Sequence, residues 1–67
     1  MKWLLHNRGY FSDCGQYELR PTYDAGAMSW HGRHIDSDRL IASSGDREYV
    51  RMTCERDAAK AEAEASA

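Results

Sequence analysis

The segment Ser43–Ala67, SSGDREYVRMTCERDAAKAEAEASA, decides the fold, because it alone carries sustained helical character. At about 100° per residue, Tyr49, Val50, Thr53, Cys54, Ala58, Ala61 and Ala65 fall on one side, and Arg51, Met52, Glu55, Ala59 and Glu62 fall mostly on the other. A stripe this narrow and small-sided needs a sheet to cover. Ser43, Ser44 and Asp46 offer capping side chains and an acid in the first turn, so the helix is expected to start there. A competing reading makes Gly45-Asp46 a hairpin turn, with Tyr49 and Arg51 alternating against Val50 and Met52. The helix would then begin only near Glu55, and its Ala-rich remainder would be marginal alone. Residues 62–67 lack bulky anchors and are expected to fray. Asp57 projects into the apolar stripe and must find donors, for which Arg20 and Tyr17 are the candidates.

Upstream, Lys2–His6 alternates as a short strand with Trp3 and Leu5 on one face. Asn7-Arg8-Gly9 reads as a turn, Tyr10 and Phe11 resume the chain, and Ser12–Gly15 interrupts it. Gln16–Arg20 is the cleanest strand, with Tyr17 and Leu19 inward, and Pro21 is expected to end it. Thr22–Gly26 is read as a loop. Met28 and Trp30 share a face in Ala27–His31, and Gly32 sits where a tight hairpin would return His34 and Ile35 antiparallel. Asp36–Asp38 breaks the pattern, and Arg39–Ser43 is a final edge strand. The fold class expected is α+β: a small antiparallel sheet of three to four strands with one C-terminal helix on one face.

At 67 residues with a net charge of −2, the chain is a single domain, residues 1–67, near the lower limit of independent folding. The candidate core is Trp3, Leu5, Phe11, Tyr17, Leu19, Met28, Trp30, Ile35, Leu40, Val50 and Cys54. That is a small core, and a homodimer would bury more surface. Residues 1–35 carry four bases against three acids, and residues 36–67 carry five against eight. The helical half is thus acidic with intermixed charges, the pattern of a solvated face. Two cysteines are too few for a disulfide scaffold, and neither a signal peptide nor a membrane span is legible, which points to a cytoplasmic protein. Cys54 reads as a small buried hydrophobe.

Trp3, the GYF at Gly9–Phe11, the YEL at Tyr17–Leu19, the WHGRHI at Trp30–Ile35 and the EYVRMTCERDA at Glu48–Ala58 resemble short uncharacterised proteins encoded by bacteriophages and prophages. The general build, a twisted antiparallel sheet with a helix on it, is similar to that of small anti-CRISPR proteins. The resemblance implies a non-enzymatic inhibitor that occupies a surface of a host or defence protein complex, and it carries over no functional residue.

Among chemical constellations, His31 and His34 with His6, Cys14 and Cys54 could in principle ligate zinc, but only the histidine pair is close in sequence, so no metal site is expected. No nucleophile elbow, P-loop or dinucleotide fingerprint is present, so neither catalytic residues nor a cofactor are expected. Trp3, Tyr10, Phe11, Tyr17 and Trp30 with Arg8, Arg20 and Arg33 would make a stacking platform for single-stranded nucleic acid, the alternative function. An acidic second half imitating nucleic acid is countered by Arg39, Arg47, Arg51 and Arg56. The expected partner-binding residues are His31, Arg33 and His34 on the proposed hairpin, with Tyr23 and Asp24 in the adjacent loop.

Overall fold

In the computed structural model, residues 1–66 are described. Five strands, β1 (Trp3–His6), β2 (Gly9–Ser12), β3 (Tyr17–Asp24), β4 (Ala27–His34) and β5 (Arg39–Ser44), precede one helix, α1 (Arg47–Ser66). The strands form a single antiparallel sheet in chain order, β1-β2-β3-β4-β5. The α+β class and single C-terminal helix agree with expectation, and the sheet has five strands rather than three or four.

Local chemistry explains most of the turns. Asn7 and Arg8 form a two-residue loop between the paired residues His6 and Gly9, at φ 49° and 67°. The same left-handed geometry recurs at Ala25 and Gly26, φ 51° and 83°, between Asp24 and Ala27. The hairpin therefore turns at Ala25-Gly26, not at Gly32, and Thr22–Asp24 is strand rather than loop. Nor does Pro21 end β3. Tyr17 N–H points toward β2, where it donates to Ser12 Oγ at 3.0 Å. Pro21 has the same parity, so its missing N–H faces the β2 side, and β2 has already ended at Gly9. No ladder bond is lost there.

The helix begins at the capping segment. Asp46 Oδ1 accepts from Glu48 N–H at 3.0 Å, and Ser44 Oγ accepts from Asp46 N–H at 3.1 Å. The alternative hairpin over residues 39–52, with its turn at Gly45-Asp46, is thereby replaced by helix from Arg47 onward. The tail expected to fray, residues 62–67, is helical to Ser66, and Ala67 lies outside the described residues.

α1 lies over β3, β4 and β5. The fully buried apolar side chains are Tyr17, Leu19, Val50 and Cys54, with Trp3, Tyr10, Trp30, Ile41, Ala42 and Ala58 packed around them. Gly32 sits in mid-β4 directly beneath the helix, where a Cβ would meet Cys54 Sγ at 2.5 Å and Val50 Cγ1 at 2.7 Å. Its role is to admit the helix to the sheet, not to turn the chain. Because one helix cannot cover five strands, Leu5 and Met28 of the expected core are exposed, and Leu40 is exposed because it faces away from α1. No described helix is long and apolar enough to cross a membrane.

Candidate interaction surface

Strand register assigns every strand side chain to one of two faces. The rows Trp3–Ser12, Leu5–Tyr10–Leu19–Gly32–Ala42 and Tyr17–His34–Arg39 lie on the helix side. The rows Leu4–Phe11–Glu18–Arg33–Leu40, Arg20–His31–Ser43 and Thr22–Ser29 lie on the opposite side, which none of the described elements covers.

The helix side is secured by two polar clusters. Tyr17 Oη donates to Asp57 Oδ2 at 2.8 Å, and Arg39 Nη2 donates to both carboxylate oxygens at 3.2 Å. Burial pulls Asp57 upward, but the Tyr17 and Arg39 hydrogen bonds and the Arg39 charge outweigh it and hold the carboxyl below its ordinary value. Burial first, then the bond to Asp57, pushes the Tyr17 hydroxyl up to about 12. Tyr17 is thus one of the two donors expected for Asp57, and Arg39 takes the place of Arg20, which points to the other face. In the second cluster Trp3 Nε1 donates to Glu55 Oε2 at 2.8 Å, and Arg51 bridges Glu55 at 2.8 Å and Glu48 at 2.6 Å. The Trp3 bond leads the causes that hold Glu55 low. Arg47 lies over the Tyr10 and Trp30 rings, 5.3 and 5.8 Å from their centroids. These groups hold the helix in place and are engaged with one another.

The open face differs. Glu18, Arg20, Thr22, His31 and Arg33 line a shallow groove across β3 and β4. Arg20 Nε pairs with Glu18 Oε2 at 3.1 Å and Arg33 Nη1 with Asp38 Oδ1 at 2.9 Å, both surface ion pairs. Such pairs are worth about 0–1 kcal/mol and exchange readily for other carboxylates. Beside them runs an apolar strip in which Leu4 faces Phe11 across the strands, and the Phe11 and His6 rings lie 5.6 Å apart.

The five residues expected from sequence are therefore divided. His31 and Arg33 share the open face. His34 is on the helix side, its Nδ1 2.8 Å from Ser37 Oγ and its ring edge-on to Tyr17 at 5.1 Å. Tyr23 and Asp24 sit at the end of the β3–β4 hairpin, Tyr23 paired with Met28. Arg20 and Phe11, expected only as members of the nucleic-acid stacking platform, share the open face with His31 and Arg33, a grouping set by register between strands. Of the five aromatics expected to form a stacking platform, Trp3, Tyr10, Tyr17 and Trp30 are on the helix side and Phe11 alone is on the open face.

The histidines and cysteines are likewise dispersed. His6 and His31 are on the open face, His34 and the buried Cys54 are on the helix side, and the exposed Cys14 is in the β2–β3 loop. Both cysteines are free, and burial first, then the Asp57 and Glu55 charges, pushes the Cys54 thiol up to about 11. Among the described residues no three His, Cys, Asp or Glu side chains gather as a metal-binding group. Comparison with protein-family models, curated proteins and solved structures gives no match to the chain.

Proposed function

We propose that this chain is a non-enzymatic binding protein that engages an acidic patch on a protein partner through the helix-free face of its sheet. The observation that carries this reading is the pair of guanidiniums on that face. Arg20 and Arg33 stand in one groove with His31, and each guanidinium is held by a single surface carboxylate, Glu18 and Asp38, in a weak pair that an incoming acidic group can displace. Planar guanidiniums so placed offer paired donors to the carboxylates of a complementary surface. The Leu4–Phe11 strip beside the groove supplies the apolar contact that charged rims need for affinity. In the setting the sequence resemblance implies, the partner is a host or defence complex and the protein is a phage-encoded inhibitor of it.

Nucleic acid is the second reading, favoured by the two guanidiniums and Phe11 on one face and opposed by the removal of four aromatics to the other. The test is capture from host lysate by the wild-type protein and by Arg20→Glu/Arg33→Glu, with thermal melts of both. A partner lost by the variant at unchanged melting temperature supports the proposal. Undiminished capture overturns it. A salt-sensitive gel shift with single-stranded DNA or RNA that the same variant abolishes transfers the face to nucleic acid.

A further inference from the structure

The two edges of the sheet are not alike. β5 has an irregular register where its pairing passes from Gly32–Ala42 to Arg33–Leu40, leaving Ile41 unmatched, and α1 packs over it. Bulging and cover of this kind are how edges are kept from pairing. β1 has neither device: it contains no proline, keeps regular register with β2, and leaves Leu4 and Leu5 59% and 71% exposed on opposite faces. Its hydrogen-bonding parity is set by the Asp13 N–H, which donates to the Lys2 carbonyl at 2.8 Å. Lys2, Leu4 and His6 therefore turn their backbone groups toward β2, and Trp3 and Leu5 turn theirs outward.

We propose that β1 pairs antiparallel with β1 of a second copy, about a two-fold axis at Leu4, so that the two five-stranded sheets become continuous. A perpendicular two-fold axis requires that opposed residues share a face, which permits pairing centred on Leu4 or on Leu5. Centring on Leu4 makes Trp3 and Leu5 of opposite copies the hydrogen-bonded pairs, giving four new backbone bonds from groups that already point outward. It also sets Leu4 against its own copy in the close, non-hydrogen-bonded position and extends the Phe11–Leu4 strip across the axis. Lys2 and His6 meet at the rim. Centring on Leu5 would instead oppose Leu4 to His6 and Trp3 to Asn7, apolar against polar.

The match of this edge to itself is the reason the occupant is a second copy. A strand this short covers less than the roughly 1,200–2,000 Å² of stable complexes, so the dimer is weak and concentration-dependent rather than obligate. It uses the strand edge rather than the groove at Arg20 and Arg33, and stands independently of the function proposed above.

Sedimentation velocity over a concentration series to about 500 µM, a range that reaches weak interfaces, is expected to show the wild-type chain passing from monomer to dimer. Leu5→Pro removes an N–H that faces away from β2 and blocks the edge without breaking the β1–β2 ladder. It should remain monomeric with an unchanged circular dichroism spectrum. In a Cys14→Ser background, Leu4→Cys should form an intermolecular disulfide on mild oxidation and Leu5→Cys should not, a readout that does not depend on the proline variant folding. A wild-type chain that stays monomeric throughout, a folded Leu5→Pro that still dimerises, or cross-linking through position 5 rather than 4 would overturn the proposal.

Discussion

Replacing Gly32 by alanine tests whether the helix is seated by the absence of a side chain. The added Cβ would lie 2.5 Å from Cys54 Sγ and 2.7 Å from Val50 Cγ1, about 1 Å inside an ordinary contact of ~3.5–4.0 Å. Both obstructing side chains are 0% exposed and come from the same helix, so neither has space to rotate into. Relief requires α1 to lift from β4, which loosens the contact with Leu19 as well. Overpacking costs about 1–3 kcal/mol, and two simultaneous clashes at rigid, buried atoms place this case at about 2–3 kcal/mol. For a domain of this size each kcal/mol is worth about 4–8 °C, so the melting temperature should fall by about 8–24 °C. Urea denaturation followed by far-UV circular dichroism measures the loss. Cys54→Ala removes the nearer obstruction, so Gly32→Ala should cost at least about 0.5 kcal/mol less in that background than alone. The reasoning fails if Gly32→Ala stays within about 0.5 kcal/mol of wild type, or if its cost is the same in both backgrounds.

Asp57→Ala should cost about 1–3 kcal/mol at neutral pH, chiefly by stranding the buried Tyr17 hydroxyl, with the more exposed Arg39 contributing less. Because folding lowers the Asp57 pKa, the ionised contribution is complete above the ordinary value of 3.8 and is lost as pH falls through the lower folded value. The stability gap between variant and wild type should therefore narrow in acid, and a gap that widens there refutes the assignment. Titration of the native protein with a thiol reagent should show one fast cysteine, Cys14. Cys54, buried and with its thiol pushed up to about 11, should react only as the chain opens, and two fast thiols would contradict its packing. Trp3→Phe keeps the ring packing and removes the donor to Glu55, for an expected loss of about 0.5–1.5 kcal/mol by denaturant titration; an unchanged midpoint would mean the bond contributes nothing.

Local signals in the sequence determined the helix, its start and several strands. Asp46 caps α1 because a short side-chain oxygen beside free N–H groups needs nothing distant to act, and Asn7-Arg8 turns because asparagine accepts positive φ locally. The inward pair Tyr17 and Leu19 and the burial of Cys54 follow from period-two and helical spacing. Partnership between elements was decided only by tertiary structure. Pro21 reads as a strand end until β2 is seen to have stopped short of it, and Gly32 reads as a turn until the helix is seen to occupy the space its missing side chain leaves. The candidate surface depends on the same information. Arg20 is on β3 while His31 and Arg33 are on β4, and a shift of one residue in register between the strands would have set Arg20 on the face opposite to them. Side-chain alternation is written in each strand, but which face the helix covers is set by where α1 can approach closely, and the only glycine that permits that approach lies in the middle of β4.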